Sequence, residues 1–68
     1  NMQHYATHVE ITKYHLKGNL EGTKTTEKMG FVNWNNACEW AGGVTMHLEC
    51  PYVVLEMRDI NTGAVENF

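Results

Sequence analysis

The sequence predicts an α+β fold: a small twisted antiparallel sheet made of hairpin, strand and short return strand, with one helix packed across one face. Three observations carry this expectation. Strand-like alternation opens the chain, helical spacing of apolar residues begins at Trp34, and a strongly apolar strand pattern follows Pro51. There is no internal repeat and no low-complexity stretch, and 68 residues at 7.8 kDa suit a single domain. That domain spans 1–68, with residues 1–4 and 66–68 expected as loosely ordered tails.

Tyr5 to Leu16 reads as the first strand, with Tyr5, Thr7, Val9 and Ile11 on one face. Tyr14 and Leu16 fall on the opposite parity, which predicts a bulge near Thr12 and Lys13. Gly18-Asn19-Leu20-Glu21-Gly22 is a loop able to use positive φ, and it makes a hairpin with a return strand over Thr23–Val32. Only the far end of that strand is apolar. The half near the loop is therefore expected to project beyond the core as a ribbon carrying Lys13, Lys17, Lys24 and Lys28.

Asn33 suits an N-cap, and Trp34, Ala37, Cys38, Ala41, Val44 and Leu48 recur on one helical stripe. Trp40 lies beside the stripe, placed to cover the core margin or face a partner. Each glycine of Gly42-Gly43 costs about 1 kcal/mol in a helix interior, so the helix is expected from Trp34 to about Ala41, resuming through Val44 to Leu48 or crossed closely by another backbone. Pro51 excludes further helix. In Tyr52–Asp59, alternation puts Val53, Leu55 and Met57 on one face and Val54, Glu56 and Arg58 on the other, as in a central strand. The stretch 60–65 then reads as a tight turn, with Gly63 at its positive-φ position, before a short strand running to Phe68.

Composition narrows the function classes. With 43% hydrophobic and 19% charged residues the chain is too apolar for intrinsic disorder. The net charge of −3 is unevenly spread, with residues 1–34 at +1 and 35–68 at −4. A single arginine and low basicity weigh against nonspecific nucleic-acid binding. No run approaches the roughly 18 apolar residues of a membrane span. Asn1-Met2-Gln3-His4 has neither a basic leader nor an apolar run, and Met2 reads as the native start. Two cysteines permit one bridge at most, so reduced thiols and a cytoplasmic location are expected.

The chemistry-bearing residues form no recognisable catalytic or metal pattern. His4 and His8 on one strand stand about 13 Å apart, too far to share zinc. His47 and Cys50 have a zinc-like spacing without a second pair, so neither a metal nor a cofactor is expected. The chain contains no serine, no phosphate loop and no dinucleotide fingerprint. Cys38 lies on the apolar stripe, where a thiol is inert packing. Glu49, Glu56 and Asp59 are the candidate paired carboxylates and are expected at a solvated rim. The chain therefore reads as a non-enzyme.

Two tryptophans and four methionines supply many packing anchors for this length. A single core below about 70 residues rarely supplies more than roughly 3 to 5 kcal/mol without a staple, which points to stability gained by association. The leading expectation is a protein-binding module, self-associating as a homodimer, with Trp40, Met46, Glu39 and Glu49 at the partner face. The alternative is a nucleic-acid-binding hairpin using Lys13, Lys17, Lys24, Lys28 and Tyr14. Lysines on an edge strand also discourage aggregation and need no ligand. A third reading is an oligomer that holds a small anion in an intersubunit pocket lined by His and Lys. In length, acidity and order of elements the chain is similar to small phage-encoded proteins that bind and inhibit a host enzyme, including inhibitors of bacterial RNA polymerase. That similarity is one of architecture and implies an inhibitor or regulator of a larger host protein.

Overall fold

The computed structural model describes residues 5–68. The expected tail at residues 1–4, including His4 and Met2, lies outside them. The elements are β1 (Thr7–His15), β2 (Lys24–Phe31), α1 (Trp34–Met46), β3 (Tyr52–Asp59) and β4 (Val65–Asn67). They form the expected α+β arrangement, a four-stranded antiparallel sheet in the order β2-β1-β3-β4.

That order fixes the helix position. β2 and β3 both run antiparallel to β1 and flank it, so the segment joining them must cross β1, and α1 lies in that segment. Val9 and Ile11 of β1 are fully buried beneath it, with Val54, Met57, Ala37 and Ala41. Two alanines at four-residue spacing present one small-residue face, which lets the helix sit close to the sheet.

β1 is paired on both sides along nearly its whole length, down to His15↔Tyr52 against β3 and Tyr14↔Lys24 against β2. The hairpin therefore does not project as a ribbon. Its loop end is tied back through the Leu16 N–H, which donates to the Pro51 carbonyl at 2.8 Å. Only the loop itself stands clear, and Gly18 and Gly22 take the positive φ it requires.

The irregularity expected near Thr12 and Lys13 is present, but the extra residue belongs to β3. Thr12 pairs with Glu56 and Lys13 with Val54, leaving Leu55 without a partner on β1. This inverts the parity expected for β3. Val54 and Met57, three apart, both reach the core, while Val53 and Leu55 are only half-buried. Tyr14 pairs with Lys24 and Val53 on the open face, opposite the helix.

The helix is continuous through Gly42-Gly43, and neither a break nor a crossing backbone occurs there. Asn33 caps it, its side chain accepting from the Asn36 N–H at 2.8 Å. Tertiary anchors on both sides of the glycines outweigh their propensity cost: Ala41 is buried before them, and Val44 packs on the core after them. The Thr45 hydroxyl accepts from the Val54 N–H at 3.1 Å and donates to the Val54 carbonyl at 3.3 Å. It satisfies β3 where the three-residue β4 does not reach. The helix ends at Met46, so Leu48 leaves the expected stripe and is 97% exposed.

Asp59 is 7% exposed and does not belong to a solvated rim. Its carboxylate accepts from the Asn61 and Thr62 N–H groups at 2.8 and 3.0 Å, closing the turn into β4. Residues 66–68, expected as a loose tail, are drawn into the sheet. Glu66 and Asn67 lie in β4, and the Phe68 N–H donates to the Leu55 carbonyl at 3.0 Å.

The Thr45 clamp is testable. Thr45→Val keeps the shape but leaves the Val54 N–H and carbonyl without a partner, at an expected cost of about 1–3 kcal/mol. Urea unfolding should show that loss, and the Val54 amide should exchange faster than in the wild type.

Candidate functional site

The helix has a second surface besides the face on the core. Along it run two adjacent rows at four-residue spacing, Trp40–Val44 and Glu39–Gly43–His47. With Glu49 and Cys50 from the following turn they line an open groove of about 610 Å³. Three of the four residues expected at a partner face, Glu39, Trp40 and Glu49, are thus brought together. Met46 is not part of the lining, and it stands 81% exposed at the helix end.

Each wall has a local cause. Trp40 leans on Phe31 at the end of β2, with ring centroids 5.6 Å apart, so one side of its indole is fixed by packing. The turn after the helix is held by the His47 N–H, which donates to the Val44 carbonyl at 3.2 Å, and by the Cys50 N–H, which donates to the His47 carbonyl at 3.2 Å. The His47 Nδ1 accepts from the Glu49 N–H at 3.2 Å. Gly43 is exposed in the lining, and a Cβ built there meets nothing within 4 Å, so the position has room for a side chain.

The rim is acidic. The ion pairs among the described residues are Lys13–Glu27 and Arg58–Glu10, which leaves the exposed carboxylates of Glu39 and Glu49 without a cation. The signals legible in sequence were Trp40 beside the stripe and the acidic second half. Gly43, Val44, His47 and Cys50 are lining residues that the sequence reading did not assign to the partner face, because the glycine pair reads as a helix break until both flanking anchors are known.

The five residues of the nucleic-acid reading do not share a surface. Lys13 faces the helix side, where its Nζ pairs with Glu27 and sits 4.3 Å from the centroid of the Tyr52 ring. Its side chain is only 14% exposed. Burial pulls its pKa down, but the Glu27 hydrogen bond and the nearby Tyr52 and Glu27 charges outweigh that and raise it, so the amine stays a charged ammonium, and Glu27 is its counter-ion. Tyr14, Lys24 and Lys28 belong to the opposite sheet face, and Lys17 to the loop end. His15 lies near Lys13, bonded to the Thr25 hydroxyl at 2.7 Å. Glu27 already pairs with the Lys13 cation there, so that His and Lys do not offer an open anion site.

Cys38 and Cys50 are both free thiols. Burial pushes the Cys38 thiol up, and the charge of Glu66 adds to it. Among the described residues no group of three or more His, Cys, Asp or Glu is arranged to hold a metal ion, and no helix is long and apolar enough to cross a membrane. Comparison with protein-family models, curated proteins and solved structures returns no match.

Two outcomes check this description. Lys13→Ala should cost about 1–2 kcal/mol in chemical denaturation, the sum of a partly exposed ion pair and a cation–π contact, whereas Lys28→Ala should stay within about 0.5 kcal/mol. Cys38 should alkylate with iodoacetamide more slowly in the native protein than in urea at mildly alkaline pH. Because its folded pKa lies above its unfolded value, its contribution to stability is complete below the unfolded pKa and declines as pH rises towards the folded one.

Proposed function

We propose that this chain is a non-enzymatic protein-binding module whose partner face is the groove of Glu39, Trp40, Gly43, Val44, His47, Glu49 and Cys50. One observation carries the reading. A glycine in the middle of a continuous helix faces no atom of its own chain, and a strong helix former would be more stable there by about 1 kcal/mol. The open space above it is bounded by a packed tryptophan and unpaired carboxylates, a surface suited to receiving a side chain from elsewhere. Met46 and Leu48 beside it add exposed apolar area. Regulation or inhibition of a larger host protein, in the manner of small phage proteins, is the biological role this surface suits.

Self-association belongs to the same proposal. Among the described residues the outer edge of β2 is unpaired and no element covers the open sheet face, so a second copy has surface away from the groove. Sedimentation equilibrium across micromolar concentrations should give a dimer, and a strict monomer throughout would remove that part.

The groove is tested without disturbing the fold. Gly43→Leu should fill it while holding or raising stability, and Gly42→Ala, outside the lining, should raise stability by about 0.5–1 kcal/mol. In pull-downs from the producing cells, one protein species recovered by wild type and Gly42→Ala should be lost with Gly43→Leu. Equal recovery by all three would refute the groove.

A further inference from the structure

We infer that the occupant of the groove is a segment of another protein with a large apolar anchor flanked by Lys or Arg, the anchor seated over Gly43 and the cations on Glu39 and Glu49. The inference rests on the groove being the partner face, and it adds the chemistry of the partner.

The lining dictates the anchor. Trp40 and Val44 give an apolar wall beside the exposed Gly43 backbone, where a Cβ would meet no atom of the chain, so a side chain from outside has room against that wall. The groove is open to solvent rather than enclosed, which suits a side chain carried on a peptide backbone better than a free small molecule.

Charge dictates the flanks. Glu39 lies one helical turn before Gly43, and Glu49 lies past the helix end, so the two carboxylates flank Gly43 along the groove. Among the described residues neither makes an ion pair, and residues 35–68 carry a net −4. A nucleic acid, an anionic lipid surface or a small anion would meet like charge here. A second copy seated groove to groove would bring both pairs of carboxylates together, so the dimer surface lies elsewhere. Cationic flanks find two unpaired partners, which favours encounter and orientation more than raw affinity.

A short randomised peptide library, selected on the wild-type chain and counter-selected on Gly43→Leu, tests this. Enriched peptides should carry an apolar anchor with Lys or Arg on either side. A labelled peptide from that pool should bind about two- to fivefold more weakly to Glu39→Gln and to Glu49→Gln, and more weakly as salt rises. Glu21→Gln, in the distant hairpin loop, should leave binding unchanged. The bound peptide should slow alkylation of Cys50 and leave Cys38 unaffected. Groove-dependent peptides with neutral or acidic flanks, or an equal effect of Glu21→Gln, would overturn the inference while leaving the groove as a binding face. So would conversion of a wild-type dimer to monomer by Gly43→Leu, which would make a second copy the occupant. Selection of no peptide that depends on Gly43 would overturn both.

Discussion

The seat of α1 on the sheet, closest along β3, is the contact on which the rest of the structure depends. It follows from topology, because β2 and β3 lie on either side of β1 and the chain between them has to cross it. The seat is close because Ala37 and Ala41 are small, and the buried core among the described residues consists of these two with Val9, Ile11, Val54 and Met57. A core of that size tolerates no slip in register, since moving one strand by one residue would carry its buried set to the open face. The bulge at Leu55 belongs to the same constraint. It brings Val54 and Met57 under the helix together, which strict alternation would forbid.

The groove is the reverse side of this arrangement. With Ala41 buried and Trp40 braced on Phe31, the rotation of the helix about its axis is fixed, and Gly43 must then face outward beside Trp40. The Thr45 clamp on Val54 fixes the same helix end a second time, two residues beyond Gly43. The helical wall of the groove, Glu39 to Val44, is thus held by a packed part of the helix, and the turn beyond Met46 supplies the rest. Such rigidity limits the entropy lost when a partner is bound.

Much of the fold was legible because its signals are local. The Asn33 cap, the glycine-bounded hairpin loop and the turn beyond Asp59 each rest on residues within a few positions of one another, and each appears where the sequence placed it. The misreadings share a different cause. The predicted helix break at Gly42-Gly43, the projecting ribbon and the face containing Val53 and Leu55 were all judged from one segment, whereas each outcome is set by a distant one. Thr45 meets Val54 only after β3 is in the sheet, and Lys13 is half-buried because Tyr52 and Glu27 come to it from β3 and β2. The site was half legible for the same reason. Trp40 and its acidic neighbours were visible from composition and spacing, while the place of Gly43 in the lining required knowing that the helix runs on.

The fate of the charged residues separates the candidate surfaces more sharply than the apolar ones do. Lys13 and Arg58, each ion-paired to a carboxylate, already have their electrostatic partners inside the chain. A phosphate or small anion approaching Lys13 would have to displace Glu27 and strip a side chain already largely desolvated. Glu39 and Glu49 face no such competition. They remain hydrated and unpaired beside an apolar wall, so a cationic partner gains their attraction without first breaking an internal contact. Among the described residues Lys13 thus has its carboxylate already, while Glu39 and Glu49 beside the groove have no cation, and that contrast favours the groove over the Lys13 position as the proposed recognition surface.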